Sequence, residues 1–389
     1  MSELSVALVG RYRVPFPYDR HRQDVQVMRA LARCTGRLDL MVVDAEGISR
    51  TWQDGALTVH YAPRRAGFVF WALRHLRRLN RNGQLDVVNG SDLIGGLVAL
   101  AARASFGVAA VAQLQGQFFR EVRGTPHRFR RRALRIVARI LARNADGLRC
   151  LFRQAADDAV SAGAARDFVR VIPSRCDAKR FDPNATPGVA RQTGRLLCVC
   201  NLVPEKGLAF LLDALPTVCA QWPQATLQIV GDGPERARLQ ARAARLGVAH
   251  MVEFTGRVPQ DQLPALLAAA SVFVLPSLSE GTPRAVMEAM AMECCVVATN
   301  VGGIPDMIDH GSTGWLVPPA DAGALATSIV AALKSPAARE VGRRAREQVL
   351  ARYTEEQHVE QMDALHRLAL ERRRSQGGAR AAVAIGRIL

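Results

Sequence analysis

Two carboxylates eight residues apart, Glu280 and Glu288, frame the segment of this chain best suited to chemistry. The apolar run Val272-Phe273-Val274-Leu275-Pro276 ahead of the first reads as a buried parallel strand, and Val286-Met287-Glu288-Ala289-Met290-Ala291 reads as a helix. Glu280-Gly281-Thr282-Pro283 is then a strand-to-helix turn, where a doubly wound sheet holds its ligands. The free amides of a helix start suit a phosphate. Eight residues make about two helical turns. One carboxylate is thus expected at the mouth of such a site, with the other pointing back along the helix. On spacing alone, a loop glutamate followed by a helix-surface glutamate is the plainer reading.

Three further segments have the same character. Asn201-Leu202-Val203-Pro204-Glu205-Lys206-Gly207 follows a strand ending at Cys200 and puts a lysine at a helix start, a pairing that suits a diphosphate. Ile229-Val230-Gly231-Asp232-Gly233-Pro234-Glu235-Arg236 reads as a strand, a glycine turn open to close ligand approach, and a helix with proline in its first turn. Phe254-Thr255-Gly256-Arg257-Val258-Pro259 is a third strand end. Taken singly, a solvated lysine or an ordinary glycine turn explains each.

Taken together and in order, these segments resemble the retaining glycosyltransferases of group 1, family 4, which have the GT-B fold. The resemblance is strong from about 195 to 320 and weak in the first 90 residues. It implies a nucleoside-diphosphate sugar as donor. Lys206 and the residue at 201 then meet the diphosphate, although Asn201 stands where arginine is usual and Cys200 where glycine is usual. Arg257 or Arg284 is a candidate for the missing charge. Gly231 lies in the family's Gly-x-Gly-Pro-Glu turn, and Arg257 and Val258 are implied as base or diphosphate contacts. Glu280 is implied beside the donor sugar, together with Gly281 and Thr282. The amides around Arg284, Ala285 and Val286 are implied as phosphate ligands, and Glu288 as the acceptor of ribose hydroxyl bonds. Gln115, in Gln113-Leu114-Gln115-Gly116-Gln117, replaces a family histidine near the reaction centre; it hydrogen-bonds but carries no proton. The catalytic candidates are Glu280, Lys206 and Gln115. No Asp-x-Asp in strand context is present, so no metal is inferred, and no cofactor beyond the donor substrate.

Positioning these residues requires parallel α/β architecture, and strand-like and helical runs alternate along the chain. The expected fold is GT-B, with two doubly wound Rossmann-like domains facing across a cleft. The first, acceptor-side domain is expected over residues 1–182 and a Pro-containing linker over 183–194. The nucleotide-sugar domain is expected over 195–353, and a crossing helix with a basic tail over 354–389.

With 389 residues, 49% hydrophobic and 22% charged, the chain is globular in composition. The apolar stretch Leu93–Ala102 is too short to span a membrane, and the N-terminus lacks a basic leader, so a cytosolic protein is expected. Eight Cys without a Cys-x-x-Cys pair, among them Cys198, Cys200, Cys294 and Cys295, suggest buried, reduced thiols. The charge is lopsided: residues 1–190 hold 31 basic and 16 acidic residues, and residues 191–389 hold 21 and 19. Only Lys179, Lys206 and Lys334 are lysines, and such an arginine excess fits a GC-rich genome.

The segment Arg128–Arg143 has apolar residues at 129, 133, 136, 137, 140 and 141, a helical stripe expected to pack inside. Arg130, Arg131, Arg132 and Arg135 are then candidates for an outward face on an anionic membrane, or for a merely solvated face. With 5% aromatic residues and no nucleic-acid fold signature, nucleic acid is not expected as a partner. The expected function is transfer of a hexose to a lipid-linked saccharide acceptor in bacterial surface-polysaccharide assembly, by a cytoplasmic protein peripheral at the membrane. A catalytically impaired GT-B partner subunit is the alternative, and a sugar-nucleotide epimerase ranks third.

Overall fold

The computed structural model describes residues 3–14, 23–81, 83–119 and 128–385; the side chains of 12–14, 23, 128–131 and 377–385 lie outside that description. By internal packing the chain divides into two compact units. Of the described residues, one comprises those up to 119, 128–172 and 356–385; the other comprises 173–355.

The first unit is built from β1 (Leu4–Val14), α1 (Gln23–Thr35), β2 (Gly36–Asp44), β3 (Arg50–Asp54), β4 (Leu57–Ala62), α2 (Phe68–Leu79), β5 (Val87–Gly90), α3 (Leu93–Phe106), β6 (Ala109–Leu114), α4 (Arg128–Asn144), β7 (Gly147–Cys150), α5 (Arg153–Ser161) and β8 (Val169–Val171). Its sheet runs β3-β4-β2-β1-β5-β6-β7-β8 and is parallel apart from the β3–β4 hairpin. Asp54-Gly55 announces the turn of that hairpin, with Gly55 at φ 59°. Parallel strands buried on both faces become continuous apolar runs. Alternate side chains of β1 show this: Leu4, Val6 and Leu8 join one core, whereas Ala7 and Val9 join another on the opposite face with α2 and α3.

The second unit comprises β9 (Arg195–Val199), α6 (Leu208–Gln221), β10 (Thr226–Val230), α7 (Arg236–Arg245), β11 (Val252–Gly256), α8 (Leu263–Ala269), β12 (Val272–Leu275), α9 (Arg284–Ala291), β13 (Cys295–Thr299), α10 (Ile304–Met307), β14 (Trp315–Val317), α11 (Ala322–Lys334) and α12 (Ala338–Arg352). The long α13 (Glu355–Ile385) follows and returns to the first unit, burying Val359, Met362, Leu365 and Ala369 in its core. The second sheet runs β11-β10-β9-β12-β13-β14, all parallel, which is the doubly wound order with its reversal between β9 and β12.

Two expectations need correction. The division falls at Ile172/Pro173, ten residues before the expected boundary at 182. Residues 173–182 belong with the second unit because Phe181 is buried in its core and the Cys176 amide donates to the Tyr353 carbonyl at 2.8 Å. The second correction concerns α4. Val137, Ala138, Leu141 and Ala142 form its packed seam, whereas Ala133, Ile136 and Ile140 face solvent with Arg132 and Arg139. The helix is thus rotated from the expected stripe, because small Ala138 and Ala142 let it approach the sheet. Arg135 is half-buried, and the side chains of Arg130 and Arg131 lie outside the described residues. Among the described residues no helix is long and apolar enough to cross a membrane.

Candidate functional site

Strands β9 and β12 pair only through Val272 with Leu196 and Phe273 with Leu197, and then part. Their C-terminal ends open onto a cavity of about 510 Å³, lined on one side by Cys200, Asn201 and Lys206 and on the other by Pro283, Arg284 and Ala285. Gly231, Arg257 and Val258 complete the lining from the ends of β10 and β11.

Glycines bring these loops together. At Gly207, with φ 62°, a Cβ would lie 2.1 Å from the Pro276 carbonyl oxygen, so only glycine lets the β9 loop touch the β12 loop. Gly231 does the same for the β10 loop: a Cβ there would lie 1.9 Å from the Cys200 carbonyl oxygen. A 2.8 Å bond from the Leu278 amide to the Glu205 carbonyl fixes the approach.

That approach creates the central contact. Lys206 Nζ donates to Glu280 Oε1 at 2.6 Å, and Ser277 Oγ donates to the same oxygen at 2.6 Å. Glu280 is almost buried and Lys206 partly so. Among the described residues Oε2 of Glu280 has no partner, which leaves it available to a ligand hydroxyl. The ammonium carries three protons and spends one on Glu280, so two remain for phosphate oxygens. Thr299 Oγ1 donates to the Ser277 carbonyl at 2.5 Å and braces this loop from β13. Thr282 Oγ1 accepts from the Ser174 amide and donates to Ser174 Oγ, both at 2.9 Å.

The helix α9 begins at Pro283 without a side-chain cap, so its first-turn amides have no side-chain acceptor. Arg284 stands at that start, 3.6 Å from Glu288 Oε1 one turn on. Glu288 is buried and does not line the cavity itself. Burial pushes its carboxyl above the usual range, against the attraction of Arg284 and Arg180. Gly281 accepts from the Gly303 amide at 2.7 Å, and Val286 is fully buried; like Thr282 and Glu280, neither lines the cavity. Cys200 is only partly buried, contrary to expectation, because it stands one residue past β9 at the cavity wall.

Gln115 belongs to the first unit. It lines a cavity of about 300 Å³ at the ends of β1, β5 and β6, together with Arg11, Arg65, Asp92 and Gln113. Its Nε2 donates to the Ser91 carbonyl at 2.7 Å and to Gln113 Oε1 at 3.2 Å. Arg149 also donates to Gln113 Oε1 at 2.7 Å, and Gln113 donates to Asn89 at 3.0 Å. Asn89 in turn bonds His366 of α13 at 2.8 Å.

Two family models divide the chain between them: one described as Glycosyltransferase Family 4 matches residues 21–180, and one described as Glycosyl transferases group 1 matches 193–335. The chain belongs to the group 1, family 4 glycosyltransferases. This chain is 36% identical over 179 residues to a GDP-mannose-dependent alpha-(1-6)-phosphatidylinositol monomannoside mannosyltransferase of Mycolicibacterium smegmatis; the match takes in 42% of this chain and 47% of that one. It is 34% identical over 195 residues to the putative colanic acid biosynthesis glycosyltransferase WcaL of Escherichia coli, 48% of each chain. The chain thus spans about half the length of these relatives. Its fold matches sucrose-phosphate synthase from Thermosynechococcus elongatus with a TM-score of 0.78 at 23% identity, covering 94% of this chain and 98% of that one. The fold is GT-B.

Sequence reasoning missed Ser277, Thr299 and Ser174. Ser277 was within reach, since it precedes Glu280 by three residues on one turn. Thr299 and Ser174 had no local signal, because each meets the site only through folding.

Proposed function

We propose that this protein transfers a hexose from a nucleoside-diphosphate sugar to a saccharide acceptor, with retention of anomeric configuration and without a metal. The acceptor is carried on a lipid at the cytoplasmic face of an anionic membrane, in assembly of a bacterial surface polysaccharide or glycolipid. The observation that carries the reading is the Lys206–Glu280 pair, 2.6 Å apart, beside a cavity whose other cations are Arg257 and Arg284. The names of the two relatives, one acting on a phosphatidylinositol mannoside and one in colanic acid biosynthesis, favour such an acceptor.

In this reading Lys206, Arg257, Arg284 and the first-turn amides of α9 hold the diphosphate, with Asn201 adding an uncharged donor. Gly231 admits the backbone close to the ligand, and Val258 packs on the base. Glu280, with Gly281 and Thr282 behind it, bonds sugar hydroxyls and opposes the positive charge that grows at the anomeric carbon. Ala285 supplies an amide at the cavity wall, whereas the Val286 amide, expected to do the same, is given to the Pro283 carbonyl at 3.2 Å; Glu288 serves the ribose beside Arg284. The acceptor oxygen bonds to the anomeric carbon as the bond to the diphosphate breaks, and a diphosphate oxygen takes the acceptor proton. Gln115, in the first unit, offers hydrogen-bonding groups suited to a saccharide hydroxyl. Positioning and fixed charge supply the rate.

Anomeric NMR of product formed from a panel of donors and acceptors tests this. Glu280→Gln and Lys206→Ala are each expected to lose at least about a hundredfold in turnover, the scale for losing one preorganised charge. Near-normal turnover in both removes the assignment. A second reading, a donor-binding partner subunit, is favoured by uncharged Asn201 and by the engagement of Gln115 with Ser91 and Gln113. Donor binding without any glycoside product supports that reading.

A further inference from the structure

In the first unit, α2, α3 and α4 lie side by side on one face of the sheet, with α3 packed between its neighbours. These three helices contain eleven arginines and no aspartate or glutamate. The helices on the opposite face are mixed: α1 carries Asp24 with Arg29 and Arg33, and α13 carries Glu355, Glu356, Glu360, Asp363 and Glu371 among its arginines. Beside α4 on the same face, α5 carries Arg153 with Asp157 and Asp158, and Arg103 of α3 is paired with Asp146, so the asymmetry belongs to the outer surfaces of α2 and α4.

The same face exposes large apolar side chains. Phe70 is 73% exposed and Val69 41%, at the start of α2; Ile136 is 52% and Ile140 42% exposed on α4. Both sets interleave with arginine. Phe70, Arg74 and Arg77 fall on one stripe, opposite buried Phe68, Ala72 and Leu76. Ile136 and Ile140 share their stripe with Arg132, Arg139 and Arg143. The helix α2 is held firmly: His75 Nε2 lies 3.0 Å from His60 Nδ1, and His60 Nε2 lies 2.7 Å from Asp39.

We propose that the α2–α3–α4 face of the first unit docks on an anionic phospholipid bilayer, with Phe70, Ile136 and Ile140 entering the headgroup region and the surrounding arginines meeting lipid phosphates. Charge complementarity selects an anionic partner, and the interleaved apolar side chains select a bilayer over a soluble polyanion, which offers them nothing to enter. Arg65, two residues before Gly67 at the head of α2, also lines the 300 Å³ cavity of this unit. Docking thus sets that cavity beside the lipid surface. The inference gives the membrane element of the proposed function its surface, and it is tested apart from glycosyl transfer because lipid binding requires no donor.

The full chain is sedimented with vesicles of phosphatidylcholine alone or with 30% phosphatidylglycerol (roughly the anionic content that draws basic faces to a surface). Partitioning is expected onto the anionic vesicles only and is expected to fall with salt. Arg74→Glu/Arg77→Glu/Arg139→Glu is expected to lose about a hundredfold or more in partitioning, at about fivefold per arginine removed. Phe70→Ser/Ile136→Ser/Ile140→Ser, with all arginines kept, is expected to lose about tenfold or more. Both variants alter exposed positions, and an unchanged thermal midpoint verifies their fold. Wild-type protein that stays in the supernatant with anionic vesicles overturns the proposal. So does full binding by the serine variant combined with competition by soluble polyphosphate, which identifies a soluble polyanion instead.

Discussion

The ion pair between Lys206 and Glu280 joins residues 74 positions apart in sequence. Each was legible from its local motif, but their contact was not, because it depends on two loops meeting at the break between β9 and β12. The buried chemistry of the first unit was less legible still. His366 is fully buried on α13, its Nε2 bonded to Asn89 and its Nδ1 without a partner. Burial holds its imidazole down to about 3, against 6.5 in water. The unfolded chain therefore takes up a proton below pH 6.5 that the folded chain refuses. The contribution to stability is complete above that pH and is lost as the pH falls toward 3. At pH 4.5 the expected loss is about 2.5 kcal/mol, at 1.36 kcal/mol per pH unit. His366→Gln retains an acceptor for Asn89 and cannot be protonated. Urea midpoints at pH 7 and pH 4.5 are expected to differ less in this variant than in the wild type; an equal difference contradicts the assignment.

At the scale of elements, the alternation of strand and helix was written in the hydrophobic pattern, and both sheets follow it. The Asp-Gly turn of the β3–β4 hairpin was legible in the sequence, but the face presented by α4 was misjudged. The stripe of Ile136 and Ile140 competes with that of Ala138 and Ala142 for the sheet, and the small residues win because they allow closer packing. The β9 and β12 loops give an element-scale prediction. Gly207→Ala is expected to destabilise the second unit by more than about 3 kcal/mol, since the left-handed φ costs about 1 kcal/mol and the Pro276 carbonyl must also move. Gly247→Ala, at φ 72° with open space around it, is expected to cost only that first amount. Urea unfolding of the pair checks this, and equal losses contradict the close-approach account of the site.

At the scale of the molecule, the two α/β halves and their unequal charge could be read from sequence, but the arrangement of that charge could not. The Arg128–Arg143 segment holds seven of the arginines of residues 1–190, but only folding sets α2 beside it across α3. The boundary between the units was likewise hidden, because residues 173–182 are tied to the second unit through Tyr353 and Phe181, far apart in sequence from their partners. The central claim is that the second unit binds a nucleoside-diphosphate sugar at Lys206, Arg257 and the start of α9. The most direct measurement is a thermal-shift titration of the purified chain with UDP, GDP, ADP and their sugar conjugates, repeated on Lys206→Ala. One nucleotide class is expected to raise the midpoint with concentration, by about 5 °C at a hundredfold excess over Kd, and the variant is expected to lose most of that shift. A flat response to every nucleotide, or a shift that Lys206→Ala leaves intact, contradicts the claim.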